Sequence, residues 1–140
     1  MATRRGRESE RLLLLVGTHL FQELLRHGDQ PREVIATEMW LQRHADLVDR
    51  CSADVSWRLV TEEVLAAALP TVTPDGVACL ASLDALPSMP SRLDFLLVLD
   101  RIQDPGNLGT LLRTALAADV QGVWLGSGVD PLATKTLRSS

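Results

Sequence analysis

The residues with the greatest potential for chemistry lie in one stretch, Asp100 to Ala115, which reads DRIQDPGNLGTLLRTA. Just before it the chain runs through a continuous apolar segment, Phe95 to Leu99, which is typical of a buried strand in a parallel sheet. It then turns at Pro105-Gly106 and enters a helix, for which Asn107 is the predicted N-cap. In α/β proteins such a loop lies at the carboxyl edge of the sheet, where ligands bind. We therefore predict a ligand site at this loop.

The packing of this helix against a sheet does not explain Arg113. The predicted apolar stripe of the helix comprises Leu108, Leu111, Leu112, Ala115 and Leu116. Arg113 lies about 140° from Leu108 around the helix and about 9 Å along its axis from Asn107, so its guanidinium can reach back toward the loop. This spacing favours a shared anion site for a phosphate or a ribose phosphate. An ordinary helix with a solvent-exposed Arg is the alternative, and the spacing alone leaves it open.

The composition limits the classes of protein to which the chain can belong. The 140 residues are 46% hydrophobic, which is enough to bury a core. The apolar run from Leu12 to Val16 is far shorter than the roughly 20 residues that a membrane-spanning helix needs, so no contact with a membrane is expected. Basic residues number 14 and acidic residues 18, for a formal charge of -4. Any RNA binding must therefore depend on local sites rather than on a broad positive field.

Cysteine and histidine spacing predicts no metal site and no disulfide framework. Cys51 and Cys79 are isolated, without a C-x-x-C pair, which fits a reducing cytoplasm. The three histidines, His19, His27 and His44, share no spacing that is typical of metal ligands. We therefore expect no bound metal ion.

Helical and strand patterns alternate along the chain, which is typical of the α/β class. An amphipathic helix is predicted between Gly17 and Gly28, with Thr18 as a candidate cap, and another helix is predicted to begin after Thr61. The other predicted elements are strands in Glu33–Thr37, Val55–Val60, Val77–Leu80 and Gly122–Leu125 and a helix in Met39–Val48. The three tryptophans, Trp40, Trp57 and Trp124, are predicted to fill cores rather than to stack on bases.

Proline and small residues divide the chain into two predicted domains. Leu83 to Leu93 carries Pro87 and Pro90 among small and polar residues, which is typical of a linker with the boundary near Pro87. The basic opening, MATRRGRESER, is predicted to be disordered. The predicted organisation is a disordered start over 1–11, an α/β domain over 12–84, a linker over 85–93 and the beginning of a second domain over 94–140.

The stretch around the predicted ligand site resembles the first signature motif of the SpoU (TrmH-like) family of RNA methyltransferases, in the SPOUT class. The family motif has the form D-P-x-N-x-G-x-x-x-R-T-A, and the chain matches its spacing at Asp104, Pro105, Asn107, Gly109, Arg113, Thr114 and Ala115. Gly17 to Leu25 and Val60 to Ala81 resemble, more weakly, the family's substrate-binding domain, a small α/β module similar to RNA-binding ribosomal proteins. The resemblance implies this domain followed by the first half of a SPOUT α/β-knot domain with a parallel sheet.

Members of this family transfer a methyl group from S-adenosylmethionine to a ribose 2′-hydroxyl of rRNA or tRNA. The resemblance makes Asn107 and Arg113 the catalytic residues, with Arg113 also contacting RNA. A guanidinium stays protonated at neutral pH, so we favour Arg113 as a phosphate anchor and Asn107 as the residue that orients the loop and the ribose. His19 and Arg138 are further candidate RNA contacts, although a solvated surface explains them equally well. The complete protein is expected to be a cytoplasmic homodimer.

The chain departs from the family pattern in two ways. It lacks the two later motifs that bind S-adenosylmethionine, so we expect a fragment with no cofactor-binding residue, no knot and no methyltransferase activity of its own. A non-catalytic RNA-binding α/β module is therefore the alternative function, and an α/β protein that binds no RNA is a third, because the acidic balance is compatible with it. Asp119 also stands where many relatives have a glycine after the first helix, which puts the turn there in question.

Overall fold

The computed structural model describes residues 4–69, 75–86, 88 and 90–140. The chain divides into two compact units, Met1–Ala85 and Leu86–Ser140, which we call the N-terminal and C-terminal units. Both units combine helices with strands, so the predicted α/β class is confirmed. No helix in the described ranges is long and apolar enough to cross a membrane. The predicted boundary at Pro87 and the predicted disorder of residues 1–3 lie outside the described residues.

The N-terminal unit alternates strands and helices around one sheet. Its elements are α1 (Arg4–Glu10), β1 (Leu12–Val16), α2 (Thr18–Arg26), β2 (Glu33–Ala36), α3 (Glu38–Arg43), α4 (Ala45–Asp49), β3 (Ser56–Leu59), α5 (Glu62–Ala68) and β4 (Val77–Ser82), followed by a 3-10 turn (Leu83–Ala85). The strand order is β1-β4-β2-β3, with β4 antiparallel to both of its neighbours and β2 parallel to β3. Strands β1, β2 and β3 therefore run in the same direction.

Helices cover both faces of this sheet. On one face, Leu65 of α5 is 1% exposed and packs in a cluster with Ile35 of β2. Val34, the preceding residue of β2, points to the opposite face because side chains alternate along a strand, and it is fully buried there. Its partner across the ladder, Trp57 of β3, contacts the ring of Phe21 of α2. The two helical layers give the N-terminal unit a core of its own.

The helix boundaries of this unit follow local signals. The predicted cap at Thr61 is confirmed, because its hydroxyl accepts a hydrogen bond from the backbone N–H of Val64. Helix α2 is also confirmed, and Gly28 follows it with a φ of 84°. Gly17, not Thr18, occupies its N-cap position. The Thr18 hydroxyl is instead engaged by the Trp40 indole N–H at 2.8 Å, so it is not available to cap the helix.

Three stretches of the N-terminal unit differ from prediction. The predicted disordered start contains α1, because Arg and Glu favour a helix and Arg7 is buried to 4% exposure. The predicted helix over Met39–Val48 is split into α3 and α4 at His44, whose φ of -123° and ψ of 38° lie outside the helical region. Leu12–Val16, which the sequence marks only as a short apolar run, is strand β1.

The C-terminal unit contains β5 (Leu96–Leu99), α6 (Pro105–Ala117), β6 (Gly122–Leu125) and α7 (Thr134–Ser139). Strands β5 and β6 pair in parallel, which confirms the predicted parallel sheet. Helices α6 and α7 pack closely where α6 has a glycine. A Cβ on Gly109 would lie 2.7 Å from the carbonyl carbon of Ser139, so only glycine admits α7 at this distance. The glycine of the motif thus has a packing role.

The prediction that β5 is a buried strand is wrong for the described chain. Leu96 and Val98 are 38% and 61% exposed, and Trp124, which pairs with Val98, is 66% exposed. These side chains share one face of the sheet because they alternate with Leu97 and Leu99. No described element of the C-terminal unit covers this face, and Trp124 is accordingly not the core residue that the sequence predicts. Leu116, predicted to belong to the apolar stripe of α6, is likewise 77% exposed.

The turn after α6 forms with Asp119 in place of a glycine. Asp119 has a φ of 55°, in the left-handed region that Asp tolerates better than most side chains do. The N–H of the next residue, Val120, donates to the carbonyl of Ala115 at 3.0 Å and closes the end of the helix. The departure from the family pattern is therefore accommodated locally.

Candidate functional site

Two loops meet at the carboxyl edge of the β5–β6 sheet, as the sequence predicts for the loop after β5. Three backbone hydrogen bonds join them, from Gly126 N to Leu99 O at 2.8 Å, from Arg101 N to Ser127 O at 2.7 Å and from Val129 N to Ile102 O at 2.8 Å. The parallel pairing therefore continues beyond the strands. This continuation holds the loop after β5 in a fixed position ahead of α6.

Asp100 ties the same two loops together through its side chain. Its Oδ1 accepts hydrogen bonds from the backbone N–H and the hydroxyl of Ser127, both at 3.2 Å. Its Oδ2 forms an ion pair with Arg101 Nε at 3.3 Å. Gly126 makes room for this carboxylate, because a Cβ at that position would lie 2.5 Å from Asp100 Oδ1. The Asp100 side chain thus holds the loop after β5 against the loop after β6.

The start of α6 differs from the prediction in one position. Asp104, not Asn107, is the N-cap, and its Oδ1 accepts a hydrogen bond from the Asn107 N–H at 2.8 Å. Pro105 then occupies the first turn, where its fixed φ and its missing N–H are tolerated. Asn107 is exposed in that first turn, and its side-chain amide makes no hydrogen bond within the described part of the chain. Because Asp104 caps the helix, the Asn107 amide is left available to a ligand.

Asn107 lines an open cleft of about 550 Å³ at this edge of the C-terminal unit. The lining residues are Arg101, Ile102, Gln103, Asp104, Asn107, Thr110 and Leu111. They offer a cation, two amides and a hydroxyl, against one carboxylate whose Oδ1 is already engaged by the helix start. Such a donor-rich lining suits an anion or a ribose.

None of the other predicted site residues is among those that line this cleft. Arg113 is exposed on α6 but does not line the cleft. Arg138 is exposed on α7 of the same unit, and His19 is exposed on α2 of the N-terminal unit. Arg101, which sequence reasoning did not single out, lies beside Asn107 in the cleft. Its sequence signal is a cation two residues after the apolar strand ends at Leu99.

The cleft does not fit S-adenosylmethionine. The sulfonium of that cofactor is positively charged, and the cleft carries the Arg101 guanidinium, so the two cations would repel each other. The cleft is also open, whereas a cofactor of this size is held in a concave site that buries most of its surface. Within residues 4–69, 75–86, 88 and 90–140, no group of three or more His, Cys, Asp or Glu side chains could hold a metal ion. The lining of this cleft thus suits an anion better than it suits this cofactor.

Two family models match the chain. Residues 14–87 match the family described as RNA 2'-O ribose methyltransferase substrate binding. Residues 94–140 match the SpoU rRNA Methylase family. The second match contains the whole of the cleft described above.

Individual relatives agree with these matches. An uncharacterized tRNA/rRNA methyltransferase of Synechocystis is 45% identical over 97% of this chain and 51% of its own length. The 23S rRNA (guanosine(2553)-2'-O)-methyltransferase RlmP of Bacillus subtilis is 30% identical over 99% of this chain and 53% of its own length. A crystal structure of an AdoMet-bound rRNA methyltransferase from Sinorhizobium meliloti superposes with a TM-score of 0.74 at 26% identity, over 99% of this chain and 53% of that one.

The chain therefore spans about half the length of the relatives it matches. Its N-terminal unit contains most of the residues that match the substrate-binding family, and its C-terminal unit contains those that match the SpoU rRNA Methylase family. The motif from Asp104 to Ala115 begins at the N-cap of α6 and continues along that helix, after a parallel strand. The substrate-binding match is followed along the chain by the methylase match, and the fold superposes on that of a solved rRNA methyltransferase. The chain therefore belongs to the SpoU family of RNA methyltransferases.

Proposed function

We propose that the protein to which this chain belongs transfers a methyl group from S-adenosylmethionine to a ribose 2′-hydroxyl of rRNA or tRNA. Residues 12–84 would bind the RNA substrate, and residues 94–140 would form part of the methyltransferase domain. The observation that carries the proposal is the exposed Asn107 amide, which the Asp104 cap leaves without a hydrogen-bond partner among the described residues, in a donor-rich cleft. The activities for which the relatives are named and the two family matches support it.

In this proposal the site residues bind and position RNA, and an RNA phosphate assists the loss of the 2′-hydroxyl proton. As the O–CH3 bond forms, the S–CH3 bond breaks and S-adenosylhomocysteine is the leaving group. Asn107 orients the ribose through its free amide. Arg113 holds an RNA phosphate and steadies the charge that develops on the ribose oxygen, because a guanidinium is a fixed planar cation and not a base at neutral pH. His19 and Arg138, both exposed, are further RNA contacts. S-adenosylmethionine would supply the methyl group from a pocket built by other residues of the complete protein.

We further propose that the complete protein is a cytoplasmic homodimer. Two observations support these finer points. Cys51 and Cys79 are both free thiols, which fits a reducing compartment. The exposed apolar face formed by Leu96, Val98 and Trp124 is a surface that a larger assembly would bury.

The test of the main proposal uses the full-length protein that contains this sequence. It is incubated with rRNA or tRNA and S-adenosylmethionine that carries a radiolabelled methyl group, and the RNA is digested to nucleosides. We expect the label in 2′-O-methyl nucleosides. Label confined to a base, or no transfer to either RNA, would contradict the proposal.

For the 140-residue chain alone we propose RNA binding without catalysis, which the donor-rich lining of the cleft favours. Isothermal titration calorimetry of this chain with S-adenosylmethionine should show no binding at micromolar concentrations. The matched titration with the full-length protein serves as the positive control. Micromolar binding by the 140-residue chain would contradict this second proposal and leave the first one standing.

A further inference from the structure

Arg101 has an unusual backbone conformation that the structure holds in place. Its φ of 56° lies in the left-handed region, which is unfavourable for residues with a Cβ. The hydrogen bond from its N–H to the Ser127 carbonyl, at 2.7 Å, keeps it there. Non-glycine residues in this region are enriched at ligand sites, where the surrounding structure fixes them. The consequence here is that the Arg101 side chain lines the cleft beside Asn107.

The guanidinium of Arg101 is only lightly engaged within the described chain. Its single ion pair runs from Nε to Asp100 Oδ2 at 3.3 Å, and the two side chains are 82% and 57% exposed. Exposed pairs of this kind contribute little to stability. The other carboxylate oxygen of Asp100 accepts hydrogen bonds from Ser127, so Asp100 does not form a bidentate ion pair with the guanidinium. The terminal nitrogens of Arg101 remain available for a bidentate contact with an anion.

The side chains that line the cleft indicate which kind of anion it suits. The side chains of Gln103, Asn107 and Thr110 surround the Arg101 cation with hydrogen-bond donors and acceptors that suit a sugar and its phosphate. The apolar side chains of Ile102 and Leu111 complete the lining. A phosphate linked to a ribose matches this combination, and the openness of the cleft allows the chain of a single strand to pass through it.

We propose that Arg101 binds an RNA phosphate next to the ribose that Asn107 orients. This inference rests on the proposed function and adds a residue to it: Arg101 is an RNA-contacting residue in the cleft, in addition to Arg113 on the outer surface of α6. The two arginines would then be separate phosphate contacts of the C-terminal unit.

The test measures the binding of a fluorescein-labelled single-stranded RNA to the 140-residue chain by fluorescence anisotropy over a series of salt concentrations. Arg101→Asn removes the cation and introduces a residue that tolerates a left-handed backbone. Arg101→Lys keeps the positive charge but lacks the planar guanidinium. Arg92→Asn is the matched control, because Arg92 pairs with Asp94 through the same Nε contact at 3.2 Å, is exposed and lies outside the cleft. Thermal unfolding of each variant checks that the fold is retained.

We expect Arg101→Asn to weaken RNA binding about tenfold. The slope of log K against log salt should become shallower by about 0.7, the contribution of one phosphate contact on a single strand. Arg101→Lys should keep the slope and lose part of the affinity, and Arg92→Asn should change neither. Equal effects of Arg101→Asn and Arg92→Asn, or no effect of either, would overturn the assignment of Arg101 only. Absence of RNA binding by the unsubstituted chain would overturn both this assignment and the proposed RNA binding of the chain alone. Failure of the methyltransferase proposal would be seen separately, in the nucleoside analysis of the full-length protein.

Discussion

The two units of the chain use similar apolar strands but cover them differently. In the N-terminal unit, Val34 of β2 and Val77 of β4 are both 0% exposed, because helices lie on both faces of the sheet. In the C-terminal unit, Val98 is 61% exposed and Trp124 is 66% exposed. Burial is thus a property of the layers around a strand, not of the strand's own composition. The N-terminal unit, whose sheet is covered, has a core of its own, and the C-terminal unit, whose sheet has an uncovered face, carries the motif.

The comparison implies that stability resides mainly in the N-terminal unit. Leu65→Ala, on α5, should lower the free energy of unfolding by about 3 kcal/mol, because the side chain is 1% exposed and its loss leaves a cavity. Leu116→Ala, on α6, is the matched control, with 77% exposure and an expected change within about 0.5 kcal/mol. Urea unfolding of the chain measures both. Similar losses for the two variants would show that Leu116 is buried in solution and that the C-terminal unit has a comparably packed core.

The proposed function assigns catalysis to the C-terminal unit, which carries the motif. In the full-length protein, Arg113→Lys should lower methyl transfer about 100-fold, because an ammonium cannot reproduce the planar fork at the phosphate. Arg43→Lys makes the same change on an exposed position of α3 in the N-terminal unit and should leave turnover within about twofold. Rates of radiolabel transfer under saturating RNA measure both. Near-normal turnover by Arg113→Lys would remove Arg113 from the site.

The closed core of the N-terminal unit predicts unequal thiol reactivity. Burial raises the pKa of the Cys79 thiol to about 12, and Cys79 is 2% exposed, whereas Cys51 is only partly buried. In the native chain at pH 8, a disulfide reagent such as Ellman's should therefore modify Cys79 more than about tenfold more slowly than Cys51. Cys51→Ser should abolish the fast phase, and urea should restore the reaction of Cys79. Fast modification of Cys79 in native Cys51→Ser would show that this core opens readily.

The smallest expected effect on stability concerns an exposed ion pair of the N-terminal unit. The Arg11 guanidinium bonds the carboxylate of Asp84 and lowers its pKa below the ordinary value of 3.8. A carboxylate with a lowered folded-state pKa adds stability above the unfolded pKa, and this contribution is lost as the pH falls through the folded value. Asp84→Asn should therefore flatten the stability profile only slightly, and only on the acid side of about pH 4, since the pair is exposed. Urea titrations from pH 7 to pH 3 measure it, and an unchanged profile would show that the pair contributes nothing.

Sequence reasoning was most successful where a feature depends on neighbouring residues. The helix after Thr61 and the stop at Gly28 were predictable because a cap and a left-handed glycine act within one turn. The cap at Asn107 was misassigned, although the signal was present: Pro105 in the first turn requires the cap to precede it. The exposure of Trp124 was not predictable, because it depends on which elements pack over β6.

The sequence by itself determined the α/β class, the alternation of elements and the family motif from Asp104 to Ala115, because local turns, caps and apolar spacing encode them. Only the tertiary structure placed β4 between β1 and β2, since strand order depends on contacts between distant residues. It alone also decided the surroundings of the site. Arg101 reaches the cleft because the loop after β6 holds its backbone in a left-handed conformation, and no spacing within the motif records that distant hydrogen bond.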